Sequence, residues 1–186
     1  MGNVTDVVSQ VGTLEFPTWM AYCNMFLQDP NIATNVIDPS RLLTAEILAN
    51  KTEELLDLLA EYPDLGPGFN FIGSVSSIHR HETSVHPIWS SSRALLSLGV
   101  DWADDIPEAE KLRLKLRGVE ASRKLADIVG QEGGTYINEA NPYEPEWENV
   151  FWGNNYDKLV EVKRRVDPES LFGCNRCVGG DIVFEP

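Results

Sequence analysis

The sequence predicts an α+β fold, an antiparallel sheet covered by helices, and three observations carry that expectation. Two long segments repeat apolar residues at helical spacing, two shorter ones alternate as half-buried strands do, and the patterns are interleaved without a repeating strand–helix unit.

The first helix opens at Thr44, where Leu48, Leu55, Leu56 and Leu59 share a face and Glu53, Glu54 and Asp57 lie mostly on the other. Pro63 lies beyond its end, and Asp64 to Gly68 form a turn cluster. Phe69 to Ile78 alternates as a strand with Phe69, Phe71, Gly73 and Val75 on one side, and a second strand is expected over Ala94 to Val100. Asp105-Ile-Pro-Glu108 has the form of an N-cap with a carboxylate three residues on, and Leu112, Leu116 and Val119 carry the longest helix toward Gly130. Gly133 and Gly134 break the chain before a short extended segment, Thr135 to Glu139. A last helix runs from about Asn155 to Val166 and stops at Asp167-Pro168. Residues 12–27, rich in Phe16, Trp19, Tyr22, Phe26 and Leu27, suit either a strand pair or a short buried helix. No linker divides the chain, so residues 1–186 are expected to form a single domain.

With 186 residues, 42% hydrophobic and 24% charged, the chain can bury one ordinary core. Its 29 acidic against 15 basic residues give a net charge of −14, a field that repels phosphate backbones and anionic membrane surfaces. The basic clusters at Lys111 to Arg123 and Lys158 to Arg165 are spaced among acids as solvated helix faces. Asp, Lys, Glu or Pro interrupts every apolar stretch before the roughly 18 residues a membrane span needs. The start lacks the basic and apolar regions of a signal peptide, which makes the cytoplasm the default expectation. Met1-Gly2 fails as a myristoylation signal because position 6 is Asp6. Sequons at Asn3 and Asn50 are of a kind that arises often by chance. Three cysteines are too few for a disulfide framework, and Cys174-Asn-Arg-Cys177 has no second CxxC or paired His to complete a zinc site. A structural thiol pair or a local disulfide is the expectation, with no metal.

Chemistry concentrates in the last third: Gly134-Thr-Tyr136-Ile-Asn138-Glu139, then Trp147, then Phe151-Trp-Gly153-Asn-Asn155-Tyr156-Asp-Lys-Leu159, then Lys163, then Asp167-Pro-Glu-Ser-Leu-Phe172. On a strand, Tyr136 and Asn138 would share a face, and a ring beside a carboxamide suits a flat ligand whose edge alternates donors and acceptors. The bland alternative is a core tyrosine with a turn-forming Asn. The Trp147, Phe151, Trp152 and Tyr156 cluster reads as packing that staples a helix to the sheet, not as a ligand cage. His79-Arg80-His81-Glu82, with His86 close behind, is the one dense acid–base cluster, with a polar solvent loop as the bland alternative.

This order of motifs resembles the C-terminal signature of the berberine-bridge-enzyme-like flavoproteins: Y-x-N, W, G-x-N-Y-x-x-L, a helix Lys and D-P-x-x-x-F. Ser40-Arg41-Leu42 and Ser84-Val-His86-Pro-Ile-Trp89 are similar to the S-R-L and S-V-x-P-x-W segments of its fungal branch, so the resemblance runs from about residue 40 onward. Ser90 departs from the Arg often found after that Trp. The resemblance implies the substrate-side region of a vanillyl-alcohol-oxidase-type flavoprotein, with a flavin-contacting signature over about 133–178. Tyr136, Asn138 and Asn175 are the implied cofactor contacts, and His81 and Glu82 the implied catalytic pair. FAD is the implied cofactor, held only together with a complementary flavin-binding domain of roughly 200 residues, because Gly130, Gly133 and Gly134 lead into a strand and make no phosphate cradle. Members of this family are often secreted.

The leading expectation is the C-terminal half of an FAD-dependent oxidoreductase acting on a small alcohol, amine or natural-product intermediate, and incomplete alone. A stand-alone non-flavin binding or cyclisation protein and a non-catalytic partner subunit are the alternatives. Expected partners are a small-molecule substrate and either a flavin-domain chain or a second copy of this one.

Overall fold

A computed structural model describes residues 13–26, 35–72, 83–130 and 133–180. The chain divides into two compact units, residues 1–33 and 34–186. In the first, the aromatic segment is helical: α1 spans Trp19–Phe26 and begins where the Thr18 hydroxyl accepts a hydrogen bond from the Ala21 amide at 3.1 Å. Trp19, Tyr22 and Phe26 recur at helical spacing, so their rings meet; Trp19 stacks on Tyr22 at 5.0 Å and Tyr22 lies 5.3 Å from Phe26.

The second unit is built around one long strand. In chain order it holds β1 (Asn35–Ile37), β2 (Ser40–Thr44), α2 (Ala45–Asn50), α3 (Thr52–Glu61), β3 (Gly66–Phe71), β4 (Ser92–Trp102), α4 (Glu108–Val129), α5 (Trp147–Trp152) and α6 (Tyr156–Val166), with 3₁₀ turns at Pro87–Ser90 and Gly153–Asn155. Strand β4 pairs antiparallel with all three others. β1 and β2 lie along one edge in a single register, Ile37 opposite Val100 and Ser40 opposite Ser97, interrupted at Asp38-Pro39. β3 lies along the other edge, Gly66 opposite Gly99 and Phe71 opposite Ala94. The α+β architecture stands.

Alternation along β4 sorts the two faces of the sheet. Ala94, Leu96, Leu98 and Val100 point into the main core with Leu43, Leu55, Leu58, Ala121 and Leu125, so α3 and α4 cover that face. Thr44 caps α2 through its side chain, as its sequence position suggests, but Lys51 ends that helix and α3 starts anew. The restart rotates the apolar stripe: Leu55 and Leu58 are buried, whereas Leu56 is exposed. α4 begins at Glu108, with Pro107 in the capping position and no side-chain cap. The expected strand at Phe69 begins earlier, at Gly66, and its expected continuation over 73–78 lies outside the described residues. A smaller core gathers Trp147, Val150 and Phe151, with Tyr156 edge-on to Trp147 at 5.6 Å, in keeping with a packing role. Among the described residues no helix is long and apolar enough to cross a membrane.

The Ser-Arg-Leu motif becomes structural here. Arg41, 1% exposed, points from β2 into the helix-covered side of the sheet. Its guanidinium donates to Glu144 Oε1 at 2.5 Å, to the Ser122 carbonyl on α4 at 3.4 Å and to the Ser40 carbonyl at 2.8 Å. Nearby, the Asn141 carboxamide donates to Ser122 Oγ at 3.2 Å and accepts from the Tyr143 amide at 2.9 Å. Together they fasten the 141–144 loop to the sheet and to α4.

Candidate functional site

The sheet face turned away from α3 and α4 is almost without side chains at one end. Ser40 opposes Ser97 across β2 and β4, and Gly68 and Gly66 oppose Ser97 and Gly99 across β3 and β4. Residues directly opposite one another share a face, so serines and glycines make a flat, polar floor there. At Gly68 a Cβ would run into the Ser97 hydroxyl, so any larger residue would push material onto that floor.

Asp38 stands at the corner of this floor, in the break between β1 and β2. Burial raises its carboxyl pKa to about 6; a hydrogen bond from Ser97 opposes the rise, and the negative charge of Glu139 adds to it. One of its carboxylate oxygens is buried without a hydrogen-bond partner among the described residues. Because the folded-state pKa lies above the unfolded value of 3.8, stability is greatest with the group protonated and falls as pH rises through about 6. Asp38→Asn is therefore expected to stabilise the fold by about 1–2 kcal/mol near neutral pH, a figure discounted for partial solvent screening. The gain should vanish at about pH 4; urea denaturation at both pH values measures it.

Beside the floor, the wall is the segment Gly134 to Glu139. The Leu42 amide donates to the Gly134 carbonyl at 2.7 Å, and the Thr135 and Ser40 hydroxyls are hydrogen-bonded. The Thr135 amide then goes to the Val150 carbonyl of α5 at 3.2 Å, and the Glu139 amide closes back to the Tyr136 carbonyl at 3.1 Å. These bonds make 137–139 a turn and not the expected strand. Tyr136 and Asn138 nevertheless come together, because the turn brings the Asn138 amide to 3.4 Å from the Tyr136 hydroxyl. Trp89 meets the Tyr136 ring edge-on, with centroids 5.9 Å apart.

Asn175 sits elsewhere. Its amide donates to the Pro142 carbonyl at 3.4 Å, beside Arg176, which donates to the same carbonyl at 3.1 Å and lies over Trp147 at 5.6 Å. The Cys174–Cys177 disulfide closes this loop, so the local-disulfide expectation holds. No described contact joins Asn175 to Tyr136 or Asn138. His81 and Glu82 lie outside the described residues. Among those described, no group of His, Cys, Asp and Glu is placed to hold a metal.

Sequence reasoning missed Asp38, Glu139, Trp89 and the serine–glycine floor. The floor had a signal: Gly66, Gly68 and Gly99 are unusual inside strands, where glycine often marks close approach of another group. Exposed Asn138 and half-buried Tyr136 fit the ring end of a flavin, offering both donor and acceptor at one edge. The described residues offer no glycine-rich turn leading into a helix N-terminus, the arrangement that cradles a pyrophosphate.

Residues 135–179 match the family described as Berberine and berberine like. An uncharacterized FAD-linked oxidoreductase from Arthroderma benhamiae is 54% identical over 171 residues, which cover 92% of this chain and 30% of that protein. An FAD-linked oxidoreductase from Gibberella zeae is 30% identical over 146 residues, covering 76% of this chain and 25% of that protein. Among solved structures, a VAO-type flavoprotein from Myceliophthora thermophila superposes with a TM-score of 0.67 at 23% identity, over 78% of this chain and 28% of that one. Berberine bridge enzyme from Eschscholzia californica superposes with a TM-score of 0.55 at 17% identity, over 82% of this chain and 34% of the enzyme. The chain thus spans about 30% of the length of the Arthroderma benhamiae relative.

Proposed function

We propose, for a chain related along most of its length to the fungal berberine-bridge-enzyme-like flavoproteins, that it supplies the substrate-side wall of an FAD-dependent oxidoreductase. The reaction is the oxidation of a small alcohol, amine or natural-product intermediate. One observation carries this reading: the Tyr136–Asn138 pair lies within the family-matched stretch, with the exposed Asn138 amide 3.4 Å from the Tyr136 hydroxyl, beside the flat serine–glycine end of the sheet.

When bound, FAD would supply the hydride acceptor. On this chain, the Asn138 carboxamide would help hold the flavin by hydrogen bonding, and Tyr136, braced by Trp89, would offer it an aromatic wall. Asp38, which titrates near pH 6, holds or releases a proton at the corner of the floor, and His81 and Glu82 are further candidates for the substrate proton.

The test is complementation. The chain is mixed with a flavin-loaded polypeptide made from the remainder of the Arthroderma benhamiae relative, and flavin absorbance and fluorescence are followed. Saturable perturbation of the flavin bands is expected, and Asn138→Ala should weaken it roughly three- to tenfold, the worth of about 1 kcal/mol for one hydrogen bond, with the fold unchanged by circular dichroism. A flavin spectrum indifferent to the chain removes the reading. An Asn138→Ala chain that no longer folds makes Asn138 a structural turn residue instead.

A further inference from the structure

The segments that carry the site meet around one side chain. His86 is 6% exposed. Its Nδ1 accepts a hydrogen bond from the Ile88 amide at 3.1 Å and so caps the 3₁₀ turn that carries Trp89. The ring fills the space left by two glycines: a Cβ on Gly134 would lie 2.9 Å from its Cγ, and one on Gly153 2.8 Å from its Nε2. Gly134 begins the wall that continues into Tyr136, and Gly153 belongs to the Trp-Gly-Asn-Asn-Tyr motif. Asn155 ties that motif to the segment before His86, donating to the Val85 carbonyl at 2.8 Å.

We infer that His86 is a positioning residue for the site and works only as a neutral ring, holding Trp89 against Tyr136. The inference rests on the reading of Tyr136 as part of the cofactor wall for its functional meaning. Its physical content is independent of that. An Nδ1 that accepts from an amide must keep its lone pair, so the neutral ring carries its proton on Nε2. Whatever Nε2 meets, the second proton of an imidazolium goes to Nδ1 and sets two donors face to face in a closed space. Among the described residues Ile88 of the turn, Gly134 of the wall and Gly153 after α5 lie against the ring, and the clash of two donors at Nδ1 holds whatever else the ring meets. Acid therefore expels the ring and releases the turn with Trp89.

The experiment is NMR on the whole chain without flavin, so a failure of the flavin reading cannot be confused with a failure here. Nuclear Overhauser effects between the Trp89 and Tyr136 rings are assigned with Trp89→Phe and Tyr136→Phe, then followed from pH 8 to pH 5 together with the His86 ring nitrogens. At pH 8 the Nε2–H tautomer and the ring contacts are expected, and on acidification the contacts should fall at least fivefold in step with His86 titration. His86→Phe, which keeps a ring but cannot protonate, should lose the pH dependence. His86→Asn, which keeps the cap but removes the ring, should lack the contacts at every pH. Contacts that persist while His86 titrates, or that survive unchanged in His86→Asn, overturn the inference. Should His86→Asn fail to fold, the wild-type pH series and His86→Phe still decide it.

Discussion

Arg41→Ala is expected to cost about 3–5 kcal/mol of folding stability, because it leaves the Glu144 carboxylate buried and uncompensated. Both side chains are all but sealed from solvent, 2% and 1% exposed, so water cannot substitute for the lost guanidinium. Three acceptors on three parts of the chain, Ser40, Ser122 and Glu144, lose their donor at once. Urea denaturation of wild type, Arg41→Ala, Glu144→Ala and the double variant measures the effect. The double variant should lose less than the sum of the singles, since removing both charges leaves neither stranded. Additive losses would mean that the pair is not coupled.

Gly153→Ala should cost about 2–4 kcal/mol, from two causes that reinforce each other. Its backbone has φ +55° and ψ −142°, a region that residues with a Cβ rarely adopt. The added methyl would also meet the His86 ring at 2.8 Å. A fall in Tm of roughly 4–16 °C follows for a chain of this size. His86→Ala placed on Gly153→Ala should cost less than His86→Ala alone, because the small side chain relieves the clash. An unrelieved double variant would show that backbone strain alone sets the cost.

The large helices were legible because their signals are local. α4 and α6 carry their helical periodicity and their stops within a few turns of chain, as at Gly130 and Asp167, although of the expected stripe on α4 only Val119 is buried while Leu112 and Leu116 are exposed. The signature from Gly134 to Phe172 was likewise legible, since an ordered set of residue types can be read without coordinates.

Edge strands β1 and β2 were not legible. β1 has three residues, and in β2 Ser40, Arg41, Leu42 and Leu43 are all buried, so neither shows the alternation that marks a half-exposed strand. Their partner β4 lies far along the sequence, and only pairing with it places Asp38 at the corner of the floor. Arg41 reads in sequence as part of a short motif; its burial becomes tolerable only when the fold delivers Glu144 from the far end of the chain.

By itself, then, the sequence determined α4 and α6, the α+β class and the residue types of the Tyr136–Asn138 pair, all of which depend on neighbours along the chain. Tertiary structure alone decided that this pair meets on a turn and not on a strand. The reason is where the backbone hydrogen bonds go: the Thr135 amide is taken by the Val150 carbonyl of α5, and Glu139 folds back on Tyr136.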